Sequence, residues 1–180
     1  MFESRFTPTD IPDAKHSSAL ALFADGNRIL PPPGVYNDGL LSILDEPTAS
    51  ELLHAWRWLC GAKCQALMTT GFGDVYYWDQ TDRAVYFLNV QHAITDFVDR
   101  SIPWILDEFF AIPDIQESVL RASVLTKLAK EHRPLSCDEC FILAPWQMFG
   151  GDESEDDFEI GTCSVYVDLV GQAQDNLRRE

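Results

Sequence analysis

The spacing of apolar positions changes several times along this chain, and each change marks a predicted element. A weak apolar run around Ala19–Phe23 ends at Pro31-Pro32-Pro33-Gly34. Three fixed φ angles hold the backbone extended there and stop a helix from passing through. Val35-Tyr36-Asn37-Asp38-Gly39-Leu40-Leu41 then reads as a turn entering a short buried stretch. Thr48 and Glu51 stand at capping-box spacing, and Leu52, Trp56, Leu59 and Cys60 recur at helical intervals before Gly61. That pattern predicts one helix closed by the glycine.

Period-two and all-apolar segments follow. Gln65–Thr70, Val75–Asp79 and Ala84–Val90 are rich in aromatic and β-branched residues and are joined by short polar turns, which predicts an antiparallel meander. Val75-Tyr76-Tyr77-Trp78 and Val85-Tyr86-Phe87-Leu88 show no polar face, so both strands need cover on two sides, and helices must supply it. Thr95–Phe110 reads as helical, divided near Ser101 by Pro103 into two short helices. Asp114–Lys130 carries a stripe of Ile115, Val119, Ala122, Leu125 and Ala129, with Asp114 as the cap and Lys127 and Lys130 complementing the terminal dipole. Phe141–Phe149 is an apolar segment, Phe158–Thr162 a strand, and Tyr166, Leu169, Val170 and Ala173 mark a last helix. The expected fold class is α+β: a central antiparallel meander packed by several helices, in one compact domain.

Composition agrees with a self-sufficient core. The chain has 180 residues, 46% hydrophobic and 12% aromatic, which is enough to fold without metal or disulfide staples. MFESRFTPTD lacks a basic segment followed by a long apolar run, and no later stretch approaches the roughly 20 apolar residues of a membrane span. A cytoplasmic protein is expected. Cys60, Cys64, Cys137, Cys140 and Cys163 make an odd number, which fits a reducing compartment. Charge changes the picture most: 29 acidic against 13 basic residues give a net charge of −16. Such a surface repels nucleic acid and anionic membrane and accelerates encounter with basic proteins.

Candidate chemistry is sparse. Cys60 and Cys64 with Cys137 and Cys140 could offer four thiolates to zinc, but only the second pair has knuckle spacing, and Cys60 lies on a buried stripe where a thiol serves as a small core residue. Asp152-Glu153-Ser154-Glu155-Asp156-Asp157 begins like a calcium loop, yet Asp157 and Cys163 stand where glycine and a bidentate acid are needed. With Glu159, this run still places six carboxylates within eight residues, a candidate contact for a basic partner. Trp78 and Trp146, beside predicted turns, are candidate interface aromatics. There is no nucleophile elbow, phosphate-cradling glycine loop or paired-histidine helix motif, and His16, His54, His92 and His132 are scattered, so neither a catalytic centre nor a cofactor is expected.

The order of segments resembles a family of bacterial immunity proteins that protect against type VI secretion DNase effectors, with a GAD-like N-terminal region and an immunity-type C-terminal region. The likeness is carried by Val35–Leu41 with the Trp56 helix, by Gly73–Asp79 and Val85–Gln91 as a central hairpin, and by Glu139–Pro145 with Gly150-Gly151. It covers about residues 25–175, residues 25–62 resembling the GAD-like portion and 63–175 the immunity portion. What the resemblance implies is an antitoxin that binds a cognate nuclease and blocks DNA access or catalysis. An acidic regulatory or peptide-binding module without catalysis is the alternative, and an enzyme using Cys137, Cys140 or His92 a third reading.

Overall fold

Strands lacking a polar face can be stable only between two covering layers, and the sheet is built around two of them. The computed structural model describes residues 2–11, 30–151 and 158–179. Its strands are β1 (Pro8–Asp10), β2 (Gly34–Tyr36), β3 (Leu41–Ile43), β4 (Cys64–Thr70), β5 (Val75–Asp79), β6 (Ala84–Asn89), β7 (Ile94–Asp99), β8 (Glu139–Leu143) and β9 (Phe158–Thr162). The first seven form one antiparallel sheet in sequence order, and β8 pairs with β9 in a separate ribbon. Because β3 pairs with β4, the sheet runs without interruption through chain on either side of residue 62.

Helices α1 (Phe2–Arg5), α2 (Glu46–Glu51), α3 (Arg57–Cys60), α4 (Ile102–Asp107), α5 (Pro113–Ser118), α6 (Ala122–Glu131) and α7 (Cys163–Leu177) supply the cover. Successive strand residues point to opposite faces. Accordingly Tyr76 meets Phe110 edge to face at 5.1 Å, from the turn after α4, while its neighbour Tyr77 lies beside Cys60 of α3. Val75, Tyr76, Tyr77 and Trp78 are all buried, as the missing polar face requires. On the α3 side, α7 is locked to the 3-10 turn His54–Trp56, where the buried Trp56 Nε1 donates to Val167 O at 2.8 Å. Gly171 permits that approach, since a Cβ there would lie 2.7 Å from Trp56 Nε1. One core runs from Phe2 to Val170, so the architecture is the expected α+β meander under helices in a single unit.

Three predicted helices take a different form. The cap of the first is Asp45, whose Oδ1 accepts from Thr48 N at 3.1 Å, and Thr48 is not a cap. That helix also breaks: Leu53 leaves helical geometry (φ −95°, ψ 15°), and the break lets Leu52, Leu53 and Trp56 all enter the core. Residues 94–99 form strand β7, which pairs Thr95 with Leu88 and Asp96 with Phe87; β-branched Ile94, Thr95 and Val98 suit a pleated surface. Ser101 does start the helix after it, its Oγ accepting from Trp104 N at 3.3 Å with Pro103 in the first turn. Finally, Asp114–Lys130 is two helices, α5 and α6, separated where Arg121 adopts left-handed geometry (φ 55°, ψ 44°). The turn brings Leu120, which lies off the predicted stripe, to 0% exposure, and α5 begins at Pro113 without a side-chain cap from Asp114.

Candidate functional site

At the end of the sheet where the β4–β5 turn, the β6–β7 turn and α7 meet, a cleft of about 480 Å3 opens. Its floor is set by a tight turn. Gly73 has φ +84°, and a Cβ there would sit 2.7 Å from Cε1 of Tyr166, so glycine allows the turn to close onto that ring. Thr70 Oγ1 accepts from the amides of Phe72 and Asp74 at 3.3 and 3.2 Å. Asp74 Oδ1 in turn accepts from Val90 N at 2.9 Å, tying the two turns together.

Gln91 is the junction of the cleft. Its Nε2 donates to Tyr166 Oη, its Oε1 accepts from Gln147 N at 3.2 Å, and its carbonyl accepts from Gln174 Nε2 at 2.7 Å. One side chain and its backbone thereby join the β6–β7 turn, α7 and the segment after β8. Burial pushes the Tyr166 phenol up from its ordinary range, with the Gln91 bond acting against that shift, so the hydroxyl keeps its proton at neutral pH. On the far wall, the Arg121 guanidinium lies 4.3 Å from the Phe72 ring and 5.4 Å from Phe158, and those two rings meet edge to face at 5.5 Å. Glu117, His92 and Asn89 complete the polar rim.

An aromatic pair, half-buried Trp146 and exposed Phe149, stands beside this cleft. Trp146 meets Tyr166 edge to face at 5.9 Å and stacks on Phe149 at 5.8 Å, and Phe149 is 63% exposed. The chain passes from Phe149 through Gly150 and Gly151 into the acidic run, and returns at Phe158 on the cleft wall. Asp152, Glu153, Glu155, Asp156 and Asp157 lie outside the described residues, as do His16 and the Ala19–Phe23 run. Glu159 is exposed on β9, opposite Ile142. Trp78 is 7% exposed in the core, so of the two tryptophans Trp146 is the one beside the cleft. Sequence pattern did not single out Phe149; its signal, a large aromatic directly before a double glycine, became meaningful only with its exposure known.

The cysteines are dispersed. Cys60 and Cys64 neighbour each other near Tyr77, Cys137 contacts Asp10, and Cys140 lies beside Cys163, all five being free thiols. The four sequence-proposed thiolates therefore do not converge, and no group of three His, Cys, Asp or Glu side chains able to hold a metal ion occurs among the described residues. His92 lies in the turn after β6 and Asp96 on β7, although their spacing of four residues would place them on one face of the helix expected there. Among the described residues no helix is long and apolar enough to cross a membrane.

No family model matches this chain, and no curated protein matches it. Among solved structures, the crystal structure of Atu4351 from Agrobacterium tumefaciens is similar to it with a TM-score of 0.60 at 12% identity, over 95% of this chain and 87% of that one. At that identity the likeness is one of fold.

Proposed function

We propose that the protein is an immunity protein that binds a nuclease effector of type VI secretion and occludes its surface without transforming a substrate. The observation that carries this reading is the exposed Phe149 ring stacked on half-buried Trp146, followed in sequence by a run that, with Glu159, holds six carboxylates, on a chain of net charge −16. Stacked aromatics anchor protein interfaces through buried area, and surrounding carboxylates steer a basic partner toward them. A DNA-cutting surface has to be basic to hold phosphates, so it complements both features. The segment order described above supports the specific family.

Co-expression with a nuclease effector encoded beside this protein tests the proposal. Survival and a co-purifying complex are the expected result, and Trp146→Ala with Phe149→Ala should weaken the complex about 100-fold or more, the scale of an interface anchor. Survival without a complex, or no survival, overturns it.

A further inference from the structure

Behind α7, on the face of the sheet opposite Tyr76, lies a second, smaller hollow of about 210 Å3. Its floor is an opposed cross-strand pair, Ser42 on β3 and Thr69 on β4. Both are more than nine-tenths buried, at 8% and 2% exposure. Neither hydroxyl has a hydrogen bond to another described residue, and both line the hollow, from which they can be reached. Two hydroxyls side by side in one hollow, neither bonded to the protein, form a ready pair of acceptors for a group that enters from outside.

The rim identifies that group. Leu44 and Leu52 provide apolar wall, while Asp45 and Asp138 stand at the mouth. The N-terminal ends of α2 and α7 also open here, but each is already met by a carboxylate: Asp45 caps α2, and Asp138 accepts from Ser164 N at 2.8 Å and Ser164 Oγ at 2.7 Å. A full negative charge outweighs roughly half a positive one at a helix terminus, so the hollow is net anionic. Cys137 reports the same field, its thiol being pushed up by burial and then by Asp10, Asp45 and Asp138. A cavity of about 150 Å3 holds one benzene, so this one has room for a short alkyl chain with a charged head.

We propose that this hollow binds an alkylammonium group, the end of a lysine side chain or of a free aliphatic amine. The methylenes lie along Leu44 and Leu52, the ammonium donates to Ser42 Oγ and Thr69 Oγ1, and the two carboxylates neutralise its charge. For a lysine source the assignment deepens the proposed function, since a basic partner carries that side chain, and to that extent it rests on it.

Three probes titrated into the 15N-labelled full chain test it: Nα-acetyl-lysine methylamide, 1,5-diaminopentane, and Nα-acetyl-norleucine methylamide, which keeps the chain and lacks the charge. The amides of Ser42, Thr69 and Asp138 should shift saturably with an ammonium probe, and the norleucine probe should bind at least about tenfold more weakly. Thr69→Val with Ser42→Ala should weaken the ammonium probe by about tenfold while leaving distant amides unmoved; Asp138→Asn, tolerated at that residue's positive φ of 58°, should do the same if the double variant does not fold. A lysine probe that binds as tightly as the diamine assigns the site to a protein side chain, and a tighter diamine assigns it to a free amine. Equal binding of norleucine, no saturable shift, or binding unaffected by the variants overturns the proposal. Titration uses the isolated protein, so its failure leaves a rescued co-expression standing, and failed rescue leaves a positive titration standing.

Discussion

Helix α7 divides two depressions that treat their polar groups in opposite ways. In the larger one, Tyr166, Gln91, Asp74 and Thr70 are bonded to one another or to backbone amides, so the wall is a completed network. In the smaller one, Ser42 and Thr69 are also buried yet carry no side-chain bond among the described residues. Bonding separates the two, because a completed network fixes architecture, whereas hydroxyls with no bond to the protein stay free to meet a ligand.

The change with the largest expected effect abolishes the difference by loosening the wall both depressions share. Trp56→Ala removes a fully buried indole and leaves Val167 O without its donor, and should cost about 3–5 kcal/mol, read as a lower urea midpoint with unchanged slope. Loss below about 1 kcal/mol would show that α7 is held mainly by other contacts.

Next in size is a paired substitution that sharpens the contrast. Gln91→Ala deletes the bonds to Tyr166 and Gln147 and should destabilise by roughly 1–3 kcal/mol. Thr69→Val is nearly isosteric and removes a hydroxyl with nothing to lose, so it should lie within about 0.5 kcal/mol of the parent or slightly above it. Similar losses for both would erase the distinction between a completed and an uncompleted wall.

The smallest effect concerns the field in the small hollow. Burial first, and then Asp10 and the rim carboxylates, push the Cys137 thiol up to about 11 from the ordinary 9.0. The folded chain thus holds this proton longer than the unfolded chain. The associated stability is complete below pH 9 and disappears as pH rises through about 11. Alkylation of Cys137 against pH, followed by mass spectrometry, should show that high midpoint, and Asp138→Asn should move it down. A midpoint near 9 in the parent chain would contradict an anionic hollow.

Strands β4, β5 and β6 were legible because their residues are consistent at every level: aromatic and β-branched side chains, no polar face and short polar turns all demand a buried meander. β7 was misread as helix although Ile94, Thr95 and Val98 favour a strand, because at the sheet edge its apolar residues are spaced irregularly and Ile94 and Phe97 remain 53% exposed. The Arg121 break was invisible for a related reason. Only the place of Leu120 in the core forces a left-handed residue into an otherwise continuous helical stripe. Of the candidate site, Trp146 and Glu159 were named from their positions in the chain, while Phe149, Gln91 and the Gly73–Tyr166 contact come from three separate segments and carry no local signature.

Sequence alone determined the anionic character of this protein, its α+β class, its central hairpins and its last strand and helix, since each follows from charge or from periodicity within one short segment. Tertiary structure alone decided which tryptophan is buried, where helices break, which thiols meet and which hydroxyls lack partners. Those properties depend on distances between residues far apart in the chain, and no local pattern encodes a distance across the core.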